Sequence, residues 1–167
     1  GGGRRAALSG PAEPGVCATA LFFGPRRSCV CRDLAVESQG PNHDFRVDDL
    51  ARSVLTKMTT DGQSHDPTWT PDGKRLACRS WLAGGMTMWM MPADRSANAV
   101  RLDPAGTRQS PVSFSPDGRF LTFDQKDADT GNDAWVLPLE GGGQPRPVAR
   151  TRFGEGSAKF SPDGRWI

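Results

Sequence analysis

Few residues of this chain combine the types and spacing that chemistry needs. The run Asp127-Ala128-Asp129-Thr130-Gly131-Asn132-Asp133 places oxygen donors at alternating positions, as a calcium loop does. A calcium loop also requires further carboxylates and a bidentate Glu downstream, which this run lacks. It reads as a solvated connection between strands, and no metal is assigned to it. His43 and His65, the only histidines, fall in loops, and no Gly-x-Ser-x-Gly elbow offers them a nucleophile. Gly154-Glu155-Gly156 is followed by neither the third glycine nor the Gly-Lys pair of a phosphate cradle. Cys29 and Cys31 are separated by one residue, closer than zinc ligands are spaced, and no histidine follows at ligand distance. No catalytic residue, metal or other cofactor is expected.

Composition narrows the partners. Net charge is +2 over 167 residues, and the basic excess sits at the start, where Arg4, Arg5, Arg26, Arg27 and Arg32 face only Glu13. The remainder is mixed in sign, so no basic groove for nucleic acid is indicated. The apolar run from Val16 to Phe23 is eight residues long, whereas a membrane span needs about twenty. No charged start and small-residue cleavage site frame it as a secretion signal. No membrane contact by this segment is expected. Twenty glycines and fourteen prolines break up the apolar runs, which favours an all-β chain.

One phrase occurs three times along the chain. Its copies are Trp69-Thr70-Pro71-Asp72-Gly73-Lys74-Arg75-Leu76, Phe114-Ser115-Pro116-Asp117-Gly118-Arg119-Phe120-Leu121 and Phe160-Ser161-Pro162-Asp163-Gly164-Arg165-Trp166-Ile167. They begin 45 and then 46 residues apart, a period of repeat architectures. Met88-Trp89-Met90-Met91-Pro92 recurs as Ala134-Trp135-Val136-Leu137-Pro138 at the same step. Each phrase has the chemistry of a hairpin turn. Pro71, Pro116 and Pro162 preset φ. Asp72, Asp117 and Asp163 can bond back to the backbone. Gly73, Gly118 and Gly164 take the left-handed conformation. Apolar or alternating strands flank each turn, and four strands per about 45 residues is the content of one propeller blade.

On this template blade two covers 66–103, blade three 110–150, and a fourth begins at 156–167. Blade one covers 33–62: Leu34–Ser38 aligns with Leu76–Ser80, and Arg46 takes the place of the tryptophan. Its turn phrase is replaced by Gly24-Pro25-Arg26-Arg27-Ser28-Cys29-Val30-Cys31. Residues 1–32 are expected to lie outside the repeat, disordered, poorly packed or non-native. Trp69, Trp89 and Trp135 are expected to recur as packing residues between blades.

The phrase [Ser/Thr]-Pro-Asp-Gly-[Lys/Arg] after an aromatic, with a tryptophan strand behind it, resembles the PD40 repeat of WD40-like, TolB-type β-propellers. The Gly-His and Trp-Asp pairs of true WD40 blades are absent. A finer resemblance lies in Asp49-Leu50-Ala51-Arg52, Asp133-Ala134-Trp135-Val136-Leu137-Pro138-Leu139 and the turn phrases. These look like the propeller that follows the kinase domain and membrane helix in many bacterial serine/threonine protein kinases.

The resemblance implies an incomplete propeller of about two to three blades, with any catalysis elsewhere in a longer protein. It further implies a sensor or interaction module on the extracytoplasmic, periplasmic side, binding a protein or peptide through loops. Rings need about four to eight blades, so the segment alone is expected to be marginally soluble and to unfold without a sharp transition. The connections that differ between blades become the partner-binding candidates, namely Trp81 in blade two and Asp127 and Asp129 in blade three. Two other contexts fit the repeat: the N-terminal propeller of a prolyl-oligopeptidase-type peptidase, and a free-standing periplasmic TolB-like protein.

Overall fold

Short runs of β-branched, aromatic and methionine residues, each ended by a Pro, Gly or Asp cluster, can pair only with near neighbours. The chain therefore folds as a series of antiparallel meanders. A computed structural model describes residues 18–23, 26–31, 34–39, 43–49, 52–81, 86–102 and 108–167, the first three stretches as backbone alone. Among the described residues there are thirteen strands and no helix. They form three sheets, each in sequential order.

Blade one contains β1 (Ala18–Phe23), β2 (Arg26–Cys31), β3 (Leu34–Gln39), β4 (Asp44–Asp49) and β5 (Val54–Lys57). Blade two contains β6 (His65–Trp69), β7 (Arg75–Ser80), β8 (Thr87–Pro92) and β9 (Val100–Arg101). Blade three contains β10 (Gln109–Phe114), β11 (Phe120–Asp127), β12 (Gly131–Pro138) and β13 (Arg146–Ala149). The chain is an all-β, partial propeller.

The turn phrases share one geometry. The Thr70 hydroxyl donates to Asp72 Oδ1 at 2.5 Å and accepts the Arg75 N–H at 3.0 Å. Ser115 repeats this with Asp117 and Phe120, and Ser161 with Asp163 and Trp166. The aspartate also accepts the N–H of Lys74, Arg119 or Arg165. Gly73, Gly118 and Gly164 follow with φ of 67°, 72° and 69°, the left-handed region in which a Cβ is strained.

Strand alternation then divides each blade into two faces. In blade two, Leu76, Cys78 and Met91 join Phe45, Val47 and Trp69 in a first core, with Trp89 packed against it. Ala77, Met88 and Met90 join Phe114, Leu121, Phe123 and Leu137 in a second, with Trp135 packed against it. Each core is thus a seam between consecutive blades. Burying one such large apolar side chain contributes about 1.5–3 kcal/mol.

Three expectations need correction. Residues 1–32 were expected outside the repeat, yet Ala18–Phe23 and Arg26–Cys31 form strands paired in sequence with β3. Blade one therefore has five strands; residues 1–17 lie outside those described. Ala18-Thr19-Ala20-Leu21-Phe22-Phe23 has high β-propensity, so it can pair in a sheet without a Ser-Pro-Asp-Gly phrase after it.

The match of Leu34–Ser38 to Leu76–Ser80 is one residue out. Arg46 pairs Glu37 as Trp89 pairs Cys78, and Phe45 and Val47 face the next blade as Met88 and Met90 do. Arg46 does take the tryptophan's place, and Ala35, opposite Asp48, stands where Leu76 stands opposite Met91. Pairing across the hairpin, not likeness of letters, sets the register. Trp69 likewise belongs with Phe114 at the end of the first strand of its blade, not with Trp89 and Trp135.

The third concerns Ala158–Ser161, expected as a strand, which forms none. The reversal is closed all the same, because the Ser161 N–H donates to the Trp166 carbonyl at 2.9 Å. The segment still leans on blade three, because Thr122 donates its hydroxyl to the Ala158 carbonyl at 2.7 Å.

Two outcomes are expected. Trp135→Ala should cost about 3–5 kcal/mol in urea denaturation. Trp135→Phe should cost much less, because the indole N–H it removes is buried without a partner among the described residues.

The turn aspartates also predict an acid limb. Burial alone would push Asp72 up, but the Thr70 hydroxyl, the Lys74 N–H and the charges of Arg75 and Lys74 outweigh it and hold it low. Asp117 and Asp163 are held low chiefly by the Ser115 and Ser161 hydroxyls. Carboxylates depressed by folding add stability that is complete above the ordinary Asp value of about 3.9 and lost as pH falls through the lower folded values. The urea midpoint should hold from pH 7 to about 5 and fall below about 4. Asp72→Asn with Asp117→Asn should lower it at pH 7 and flatten the acid limb.

Candidate functional site

The ends of the strands away from the turn phrases gather the polar residues that packing does not explain. At the blade one–blade two junction, Asp61 acts as a hub. It accepts the Ser64 hydroxyl and the Gln63 N–H at 2.9 and 3.0 Å, together with the Ser80 hydroxyl. Burial raises its pKa, but these bonds, led by Ser80 and joined by the Trp81 N–H, leave it lowered. Ser64 and Ser80 are fully buried and 3.0 Å apart. The hub fixes the end of β7 and so fixes the backbone from which Trp81 projects, 47% exposed.

His43 and His65 meet on the same rim, ring centroids 4.4 Å apart. His43 bridges Gln63 through the backbone, and β6 begins at His65. Cys78, inside the seam below, is pushed up to about 12 by burial and by Asp61 and Asp66. A thiol so held is not a nucleophile at neutral pH.

In blade three, Asp127–Asp133 forms a tight connection rather than an open loop. Register runs unbroken to Lys126↔Asn132 and Asp127↔Gly131, and Gly131 takes a φ of 92°. Asp127 Oδ1 accepts the Asp129 N–H at 2.9 Å. That bond, opposed by burial and helped by Thr130 and Arg150, holds Asp127 low. Asp133 is buried and accepts the Thr130 hydroxyl at 2.8 Å.

The positive charge these carboxylates call for comes from Arg150. Its guanidinium lies 3.2 Å from Asp127 Oδ2 and 3.5 Å from Asp133 Oδ2. Among the described residues no three His, Cys, Asp or Glu side chains converge as metal ligands.

Gly154-Glu155-Gly156 has a packing reason. A Cβ on Gly156 would sit 2.7 Å from Asn132 Nδ2 and 3.0 Å from Asp124 Oδ2. The glycine lets the start of blade four come close, so that Ser157 N–H bonds both Asp124 oxygens at 2.9 and 3.2 Å. Even so, burial leads and leaves Asp124 raised, with Asp66 adding to it against the Ser157 and Asn132 bonds.

Trp81 and the Asp127/Asp129 turn thus sit at one end of adjacent blades, and Pro71–Gly73, Pro116–Gly118 and Pro162–Gly164 sit at the other. The Asp61 hub and the Arg150 clamp were not read from the sequence. A lone Asp before Gly, and an Arg after a fourth strand, carry no spacing signal.

No protein-family model matches the chain, and no curated protein matches it in sequence. Solved structures do. A TolB-type protein from Agrobacterium tumefaciens superposes with a TM-score of 0.68 at 18% identity, over 81% of this chain and 48% of its own. TolB from Acinetobacter baumannii gives 0.65 at 22% identity, over 79% and 33%. A prolyl endopeptidase gives 0.56 at 14% identity, over 89% and 25%. The chain spans less than half the length of each. The shared feature is the propeller fold.

Arg150→Ala should leave buried Asp133 without its countercharge. We expect a loss of about 1–3 kcal/mol in urea denaturation, less than for a fully buried pair because Arg150 is half-exposed. A change under about 0.5 kcal/mol would show that the clamp is not structural.

Proposed function

We propose that this chain is a non-catalytic recognition module that binds a protein or peptide through the loop end of its blades. The observation that carries the reading is Trp81, half-exposed on a backbone pinned by the Asp61 hub, at the same end of its blade as the Arg150-braced Asp127–Asp133 turn is of the next. Large aromatics held on a firm base are typical of binding hot spots, and loops on a rigid scaffold are where binding is usually placed. No helix among the described residues is long and apolar enough to cross a membrane. In our reading the module is extracytoplasmic and part of a longer bacterial protein, with a serine/threonine kinase as the leading context. The Asp49-Leu50-Ala51-Arg52 and Trp135-Val136-Leu137-Pro138-Leu139 phrases support that context.

A second reading is favoured by the prolyl endopeptidase likeness, in which the propeller would screen access to a hydrolase domain. A free-standing TolB-like protein is favoured by the two TolB likenesses. The adjoining coding sequence separates the three. A kinase domain upstream supports the first, a Gly-x-Ser-x-Gly domain downstream the second, and a signal peptide with neither of these the third.

Within the full-length protein, Trp81→Ser and Asp127→Ser/Asp129→Ser should reduce photo-crosslinking to the partner. Trp81→Ser should change stability by no more than about 0.5 kcal/mol, as for a surface site. Unchanged crosslinking by both variants would refute the loop-end reading.

A further inference from the structure

The two seams between blades are not closed alike at the turn end. Ala93 and Leu139 are equivalent: each follows the proline that ends its third strand, and each donates its N–H at 2.9 Å to the residue after the turn glycine, Lys74 or Arg119. Leu139 packs against the second core. Ala93 is three carbon atoms shorter and packs against the first. Where it falls short, a cleft of about 750 Å³ opens between blades one and two, within the range of small-ligand sites.

Its apolar wall is Val47, Val54, Pro92 and Ala93. Its acids are already engaged. Asp72 is held by the Thr70 hydroxyl and the Lys74 N–H, Asp94 by the Ser96 N–H, and Asp49 by Arg52. Lys74 and Arg75, also on the lining, act on Asp72 through their charge but form no ion pair within 4 Å among the described residues. Beside the cleft, strand β5 is the edge of its sheet and leaves Val54 51% exposed.

We propose that this cleft is a second binding site, for an extended peptide segment that alternates aliphatic and acidic residues. An extended strand can add to the edge of β5 ahead of Lys57, whose carbonyl already accepts Arg95 Nη1 at 3.2 Å, while its alternate side chains point into the cleft. Aliphatic side chains would fill the space that Leu139 fills in the other seam, and carboxylates would meet Lys74 and Arg75. The site lies at the opposite end of β7 from Trp81. Six residues of strand separate the two, about 20 Å at a strand's rise.

Two fluorescein-labelled hexapeptides test this by fluorescence anisotropy, one of alternating Leu and Glu and one of alternating Leu and Lys. The Leu/Glu peptide should bind and the Leu/Lys peptide should bind at least about tenfold more weakly. Ala93→Leu should weaken binding of the Leu/Glu peptide by about tenfold or more, with the melting temperature held or raised. Lys74→Glu with Arg75→Glu should weaken it comparably, and Trp81→Ser should leave it unchanged. Equal binding of the two peptides, no binding of either, or indifference to Ala93→Leu would overturn the proposal. Should the charge-reversal variant fail to fold, a loss of affinity on raising salt from 50 to 500 mM reads the same contact. An affinity insensitive to salt would count against it.

Discussion

The hydroxyl at the head of each turn phrase is the fixed point of this architecture. The hydroxyls of Thr70, Ser115 and Ser161 each donate a hydrogen bond to an aspartate two residues on and accept one from the N–H five residues on. That closes the reversal with a defined number of residues, so the two strands can pair in one register. A slip of one residue would turn every side chain of the strand to the other face and exchange one seam for the other. The turns also meet: a Cβ on Gly118 would touch Pro71 Cδ at 3.8 Å, and one on Gly164 would lie 3.3 Å from Pro116 Cδ. The phrase therefore sets strand register within a blade and spacing between blades.

From that register follows the composition of the core. Each middle strand must be apolar on both sides, because each side belongs to a different seam. Leu76 and Cys78 serve one, and Ala77, between them, the other. The outer strands carry less of this load. Val100 stays 64% exposed and Val148 40%. Trp89 and Trp135 sit on the third strands, with indole nitrogens that find no partner among the described residues. Their contribution is apolar area, not hydrogen bonding.

The blades were legible in the sequence because the turn chemistry is local. Proline, aspartate and glycine state a backbone conformation wherever they stand together, and the 45- and 46-residue steps made coincidence untenable. Blade one was legible only in part. Its strands lack the phrase, so alignment rested on Leu-Ala-Val against Leu-Ala-Cys, and small apolar residues look alike whichever face they occupy. The Asp61 hub joins residues up to 20 positions apart, and the Arg150 clamp joins residues 23 apart. Pairings of that kind depend on where the sheet brings its ends together, which no local pattern records. The Ala93 cleft was hidden for another reason. It is defined by what one blade lacks relative to the next, so it emerges only once equivalent positions are fixed by hydrogen bonding.

The two ends of the blades obey different constraints. At the turn end the backbone dictates the residues, so Pro-Asp-Gly repeats. At the other end the ladder only has to stop: blades one and two stop at the equivalent pairs Gln39↔Asp44 and Ser80↔Thr87, and blade three runs on. β11 and β12 run eight residues each, against six for β7 and β8. The added pairs carry the blade three hairpin to Asp127↔Gly131, where Arg150 braces it. In blade two the described ladder reaches Ser80↔Thr87, and Trp81 follows it. Blade three thus ends in a braced hairpin, while at the same end of blade two Trp81 stays half-exposed. Neither feature is demanded by the packing of the seams, and that independence lets this end differ between blades while the fold stays the same.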